Sequence, residues 1–271
     1  MIRDITIGQF FPGESVIHKI DPRVKIVLTM LFITMLFIAT NYIGLIIGVL
    51  LAFICYVIAR IPLSIILKSL KPVVPIILFT SILNVFFVSG DTVLLKWWIL
   101  TITKEGVVLA VAMSIRIITL IAGTSLLTYT TSPIALTDAI ERLLKPLKLF
   151  KFPVHELAMM MTIALRFIPT LIEETDKIMS AQKARGADME SGNVFQRSKA
   201  LIPILIPLFV SSFRRADELA MAMECRCYRG GVGRTRMRQL KMHYIDYLSL
   251  IFMSLCITGV ILINIYAPVI F

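Results

Sequence analysis

Residues 26–59 read IVLTMLFITMLFIATNYIGLIIGVLLAFICYVIA, 34 residues without one charged side chain. As a single helix the run would extend about 50 Å, well beyond the ~30 Å hydrocarbon core of a bilayer. Asn41-Tyr42, near its middle, offers a tight turn, so the run predicts two short spans, about 24–40 and 42–59. Gly44 and Gly48 form a small-xxx-small pair on the second span. Such a pair suits close helix packing, and two glycines on a lipid-facing helix are the plainer alternative.

The flanking sequence follows the same pattern. The chain is 58% hydrophobic and 17% charged over 271 residues, far too little polar surface for a soluble domain of that size. Three more apolar runs predict spans at 72–88, led in by Pro72 and Pro75, at 105–130 and at 244–267. The first 25 residues carry Asp4, Glu14, Asp21 and two prolines, with no short apolar core followed by a small-residue cleavage pattern, so no secretory signal is expected. Lys and Arg number four in residues 1–25, three in 60–71 and none between the first two spans. The two in 89–104 are balanced by Asp91 and Glu105. Residues 132–243 hold 18, against 11 Asp and Glu. Basic loops are retained in the cytoplasm, so the N-terminus and residues 132–243 are expected inside and the C-terminus outside a bacterial-type plasma membrane. The same rule accounts for the net charge of +11 without invoking nucleic acid.

The expected organisation is an all-α membrane protein of about five transmembrane helices plus long cytoplasmic coupling helices. It comprises an arm (1–23), spans one to four (24–131), a cytoplasmic and interfacial segment (132–243) and a last span (244–271). Within the large segment, Ser132-Pro133 is a capped helix start, and Ile140, Leu143, Leu144 and Leu147 share a face opposite Lys145 and Lys148. Residues 133–148 are therefore expected along the membrane surface. Two long helices follow. The first, 155–185, is apolar from Leu157 to Ile168 and charged beyond Pro169, where a kink is expected; Gly186 and Gly192-Asn193 end it. The second, 197–228, is apolar over Leu201–Phe213, carries Pro203 and Pro207, and turns polar from Arg214 until Gly230-Gly231. A shift of 41 residues aligns Asp176 with Asp217, Ala181 with Ala222 and Arg185 with Arg226.

Each long helix thus ends on an arginine, in Ala184-Arg185-Gly186 and in Cys225-Arg226-Cys227. One such end alone is an ordinary helix terminus, since Arg complements the dipole and Gly caps the last turn. Two matched ends on two long helices favour docking, because Arg presents a rigid fork of donors and a packed helix carries displacement as a rigid body. Ser211, Ser212, Ala216 and Ala220 could let the helices cross closely or face solvent, with nothing to choose between them. Glu173, Glu174, Asp176, Arg214, Arg215, Asp217 and Glu218 could pair across such a crossing, although solvated faces are the plainer expectation. Arg116, near the middle of span four, is expected to make a structural polar contact with Asn84 or with hydroxyls of its own span, or to meet a partner.

Catalysis finds little support. His155-Glu156 starts like a zinc-protease motif, but Met159 stands where the second His is required. No Gly-rich phosphate loop is present, Cys225 and Cys227 lack accompanying metal ligands, and neither a metal site nor a cofactor is expected.

These features resemble the T component of energy-coupling-factor (ECF) transporters, the EcfT/CbiQ family, over nearly the whole chain. The resemblance is carried by Gly8-Gln9-Phe10-Phe11-Pro12-Gly13-Glu14-Ser15, Asp21-Pro22-Arg23-Val24-Lys25, Phe152-Pro153-Val154-His155-Glu156-Leu157 and Leu165-Arg166-Phe167-Ile168-Pro169. Ala184-Arg185-Gly186 matches the family's first Ala-Arg-Gly motif; the second is recognisable from Ala222 to Tyr228, with Cys225 and Cys227 in place of Ala and Gly. The resemblance implies a non-catalytic subunit of an ATP-driven vitamin or micronutrient importer. Its arginine-tipped helices would dock into two ABC-type ATPases, which hydrolyse the ATP. Its membrane part would hold a substrate-binding S component, or several in turn, that topples within the bilayer. Three alternatives remain at this stage: a dedicated cobalt or nickel version of the same subunit, an intramembrane lipid-phosphate enzyme using Arg116, and a permease lining its own path. Nearly bare spans count against the last.

Overall fold

The computed structural model describes residues 10–88, 92–97, 100–150, 152–187, 193–230 and 241–266; Asp4, Gly8, Gln9, Asp91, Gly192 and Gly231, named above, lie outside them. The regular structure of the described residues is helical except for one antiparallel hairpin, Val93–Trp97 with Leu100–Thr103, inside the predicted 89–104 loop. The first span is α2 (Pro22–Ile38), preceded by a single turn, α1 (Val16–Lys19). Next comes α3 (Tyr42–Ala59), separated by the turn expected at Asn41. The basic connection 60–71 is not a loop. Leu63–Leu70 forms α4, which tightens through Lys71–Val73 and continues as α5 (Val74–Phe87). Pro72 and Pro75 are tolerated because each falls in the first turn of a new segment, where an N–H has no intrahelical acceptor.

The remaining helices are α6 (Lys104–Thr130), α7 (Pro133–Leu143), α8 (Val154–Ala184), α9 (Val194–Cys225) and α10 (Tyr244–Tyr266). The surface helix stops earlier than expected, because Pro146 turns Lys145–Phe150 into a 3-10 segment. Among the described residues, five helical stretches are long and apolar enough to cross a membrane: Tyr42–Ala59, Ser64–Phe87, Lys104–Thr130, Val154–Ala184 and Tyr244–Tyr266. With 17 residues α2 is one short of that length, and α8 qualifies through its apolar first half.

By its internal contacts the chain divides into two units. Of the described residues, 10–136 with 241–266 form a membrane unit, and 137–230 form a lever unit.

In the membrane unit, α6 is the central post and α2 lies against it with opposite chain direction. Lys25 meets Thr130, Phe32 meets Gly123 and Ala39 meets Arg116, so one number falls as the other rises. Helix α10 runs parallel to α2: Asp21 N–H donates to Asp246 at one end, and Asn264 Nδ2 donates to Ile38 O at 2.5 Å at the other. Ser81 and Ser114 hydroxyls bond at 2.8 Å where α5 descends α6. Met35, Leu36, Ala39, Leu45 and Val260 form the densest core, fully or almost fully buried between α2, α3 and α10. Gly48 explains why they fit. A Cβ there would stand 2.5 Å from Leu36, and one at Gly44 would stand 3.0 Å from Ala39 Cβ, so the glycine pair serves close packing and does not face lipid.

A polar knot closes one end of this unit. Asp21 caps α2 by accepting from Arg23 N–H, and pairs with the Arg23 guanidinium at 2.7 Å. Asp246 accepts from the N–H groups of Asp21 (2.9 Å) and His243 (2.7 Å). The Lys25 ammonium donates to Thr130 O (2.8 Å), Thr131 Oγ1 (3.3 Å) and His18 O (3.3 Å). Asp21, Lys25 and Asp246 are all buried.

Candidate functional site

The lever unit is built on α8 and α9. Each runs unbroken through its internal prolines, Pro169 in α8 and Pro203 and Pro207 in α9. Where they touch, Gln182 Nε2 donates to Pro203 O (3.3 Å), Ser211 Oγ donates to the Glu174 carboxylate, and Arg215 pairs with Glu174 at 2.8 Å. Residue 182 lies by 203 and 174 by 211, so the two helices cross with opposed chain directions. Of the small residues considered for the crossing, Ser211 reaches α8, Ser212 bonds within its own helix and Ala216 and Ala220 are exposed. Of the charged set, Glu174 and Arg215 pair across the crossing, while Arg214 and Glu218 form an exposed pair within α9.

Both helix ends have the same construction. In α8, Arg185 follows the last helical residue and Gly186 turns left-handed at φ 81. Gly186 N–H donates to Lys183 O (3.0 Å) and Ala187 N–H to Gln182 O (3.0 Å). In α9, Cys227 takes the left-handed position at φ 57; its N–H donates to Glu224 O (2.8 Å), and Tyr228 N–H donates to Met223 O (3.0 Å). This paired-bond terminus satisfies two carbonyls that a helix otherwise leaves free, and it normally uses glycine. Residue for residue, Ala184, Arg185 and Gly186 correspond to Cys225, Arg226 and Cys227, the 41-residue offset seen in the sequence. All six are exposed. Replacing Gly by Cys therefore leaves the shape of the second terminus unchanged, at the cost of a side chain in a region L-residues avoid.

From the Glu174–Ser211 contact, Arg185 lies eleven residues along α8 and Arg226 fifteen along α9. At 1.5 Å per residue these arms are about 16 and 22 Å, and they point in opposed directions, so the two guanidinium groups can stand up to about 40 Å apart. Two widely separated, positively charged, projecting helix ends can meet two separate acceptor surfaces at once.

Arg116 hydrogen-bonds to the main chain at the end of α2, an acceptor that sequence reading did not name. Its Nη2 donates to Ala39 O at 2.6 Å, at the carboxyl end of α2, where the helix dipole is negative. Because α6 is ten residues longer than α2, the middle of α6 is level with the α2–α3 turn, a relation that sequence spacing does not reveal. His155 is occupied by Glu141, at 3.1 Å. Sequence reading offers the Glu174–Arg215 brace only as one of several pairings across the crossing, and it misses the knot around Lys25. The charge pattern of α8 and α9 offered both signs on both helices, and only the crossing register selects this pair. For the knot the run Asp21-Pro22-Arg23-Val24-Lys25 was visible, but its distant partners Thr130, Thr131 and Asp246 were not.

Residues 13–238 match the family model described as CbiQ, cobalt transport protein. Among relatives, the energy-coupling factor transporter transmembrane protein EcfT of Clostridium kluyveri is 54% identical over 270 residues, 99% of this chain and 98% of that protein. The EcfT of Ruminiclostridium cellulolyticum is 58% identical over 248 residues, and that of Acidaminococcus fermentans 53% over 251, each covering 92% of both chains. With a membrane unit of alternating apolar helices and two arginine-tipped levers, the chain belongs to the CbiQ/EcfT family of transporter transmembrane proteins.

Proposed function

We propose that this chain couples ATP hydrolysis in partner subunits to uptake through a separate substrate-binding membrane protein. The observation that carries the reading is the matched pair of exposed arginine termini, Arg185 and Arg226, on helices braced against each other at Glu174, Arg215 and Ser211. Each arginine offers a forked donor suited to a groove lined by carboxylates and carbonyls. The brace lets the two ends move as one body when two ATPase subunits approach or part. Exposed Leu201, Ile202, Leu205, Ile206, Phe209 and Val210 on the apolar half of α9 suit contact with lipid or with an embedded S component. The chain is itself non-catalytic, with the ATP hydrolysed by its partners and a vitamin or other micronutrient carried by the S component. It sits in the plasma membrane with the N-terminus and levers in the cytoplasm and the C-terminus outside.

Affinity co-purification of the tagged chain from its native membrane tests this directly. Two ABC-type ATPase subunits and a small multi-span protein are expected with it; a chain that emerges alone and monodisperse overturns the reading. Charge reversal at both tips, Arg185→Glu with Arg226→Glu, is expected to abolish ATPase binding and uptake. The family description favours one other version, a T component dedicated to cobalt or nickel. Capture of several different small membrane proteins by one tagged chain separates the shared form from the dedicated one.

A further inference from the structure

The docking role of Arg226 leaves its two neighbours, Cys225 and Cys227, without a task. All four cysteines of the chain are free thiols, and they divide by place. Cys55 and Cys256 lie in α3 and α10 and are half-buried, the usual surroundings of a cysteine. Cys225 and Cys227 are exposed, one on each side of Arg226. An exposed thiol is open to oxidation and disulfide exchange, whereas a buried structural one is inert. Neither shape nor packing calls for sulfur here. Ala184 and Gly186 build the same paired-bond terminus on α8 without it. At φ 57 Cys227 holds a conformation that glycine takes far more readily. A metal does not account for the pair either, since among the described residues no group of His, Cys, Asp and Glu gathers that could hold one.

We infer that Cys225 and Cys227 form a redox-active dithiol, a modification site that reacts with low-molecular-weight disulfides and, once oxidised, withdraws Arg226 from docking. One Sγ, its proton given to solvent, attacks a sulfur of the small disulfide. That S–S bond breaks, and the departing sulfur takes up a proton. The second Sγ, losing its own proton, attacks the protein sulfur of the mixed disulfide, closes the Cys225–Cys227 bond and releases the second small thiol. The chain loses two electrons and two protons, and one small disulfide becomes two thiols.

Closure changes the shape of the tip. On helical backbone, α-carbons two residues apart are about 5.4 Å from each other, within the ~4.4–6.8 Å that a disulfide spans. The bond also needs β-carbons about 3.5–4.5 Å apart, and side chains two apart on a helical turn do not face each other. Oxidation must therefore draw Cys227 out of the place where its N–H donates to Glu224 O (2.8 Å) and Tyr228 N–H donates to Met223 O (3.0 Å). The last turn of α9 opens, and Arg226 loses the fixed projection that matches Arg185. Strained, exposed disulfides are also the readily reduced ones, so a reducing cytoplasm restores the tip. The effect on docking rests on the coupling function proposed above; the thiol chemistry stands apart from it.

The test treats the co-purified complex with oxidised glutathione and then with dithiothreitol, reading bound ATPase and the mass of the peptide holding residues 225–227. If the reduced complex carries no ATPase, the docking reading fails before any oxidant is added, and the peptide mass still judges the dithiol. In the wild type the peptide is expected to lose two hydrogens without keeping glutathione. Bound ATPase is expected to fall at least about fivefold, the worth of one lost hydrogen bond, and to return with dithiothreitol. Cys225→Ser is expected to stop at a glutathione adduct on Cys227. In Cys225→Ser with Cys227→Ser, the ratio of ATPase bound after and before oxidation is expected to stay near one. An unmodified peptide or a lasting glutathione adduct in the wild type overturns the inference. So does an oxidised wild type that keeps its ATPase, or a double variant that loses its ATPase on oxidation as the wild type does.

Discussion

Cys227 occupies a backbone conformation that costs an L-residue roughly 1–2 kcal/mol and a glycine almost nothing. Both termini adopt that conformation, one with glycine at Gly186 and the other with an L-residue at Cys227, so the two sites respond in opposite directions to substitution. Cys227→Gly is expected to strengthen the end of α9 by about 1 kcal/mol, slowing exchange of the Cys227 and Tyr228 amides about fivefold. Gly186→Ala is expected to weaken the end of α8 by a similar amount; an added Cβ there meets no atom within 4 Å, so the cost is conformational alone. Equal exchange in Cys227→Gly and wild type would show that the left-handed turn carries no strain. Arg116 behaves differently, since its role is a hydrogen bond between helices. Arg116→Met is expected to lower the thermal midpoint of the detergent-solubilised chain, through a loss of about 1–3 kcal/mol, while leaving ATPase co-purification intact. Loss of ATPase binding at unchanged stability would instead make Arg116 a docking residue.

The levers were legible in the sequence as elements because each carries its own punctuation. An apolar half gives way to a polar half, and Gly186 stops the first run, while the second stops at Cys227, three residues short of the Gly230 that the sequence offers. The start of α9 at Val194 and the helical 60–71 connection were harder to read, because charge alone does not separate a basic loop from a basic helix. The brace was legible only as one of many pairings, since Glu173, Glu174, Asp176 and four residues of α9 offered several and the crossing register chooses among them. Glu174–Arg215 is partly exposed, with side chains 19% and 36% accessible, so its strength is limited by solvent. A double-mutant cycle of Glu174→Ala and Arg215→Ala is expected to give a coupling energy of up to about 1 kcal/mol that declines as salt is raised. A coupling energy indistinguishable from zero at low salt would remove the pair from the crossing and leave Ser211 and Gln182 to hold it.

At the scale of the whole chain, helix directions within the membrane unit constrain topology more tightly than charge counting does. Helix α3 opposes α2, since Gly44 faces Ala39 and Gly48 faces Leu36. Helix α6 also opposes α2, α5 opposes α6, and α10 runs with α2. As the five crossings expected from the sequence, α2, α3, α5, α6 and α10 alternate strictly, with the start of α2 and the start of α10 on one side. That side also receives the end of α6, from which residues 132–243 and their 18 basic residues depart. Geometry thus fixes which ends lie together, and the basic excess decides which compartment they face, because Lys- and Arg-rich connections resist translocation. A green fluorescent protein fused after Phe271 is expected to be dark and an alkaline phosphatase at the same place active, since the first matures only inside and the second only outside. Truncation after Ser132 with the same two reporters is expected to reverse both signals. Should both junctions report the same compartment, α2 and α10 could not run parallel as transmembrane helices, and α8, whose apolar half is also long enough to cross, would have to supply the missing span.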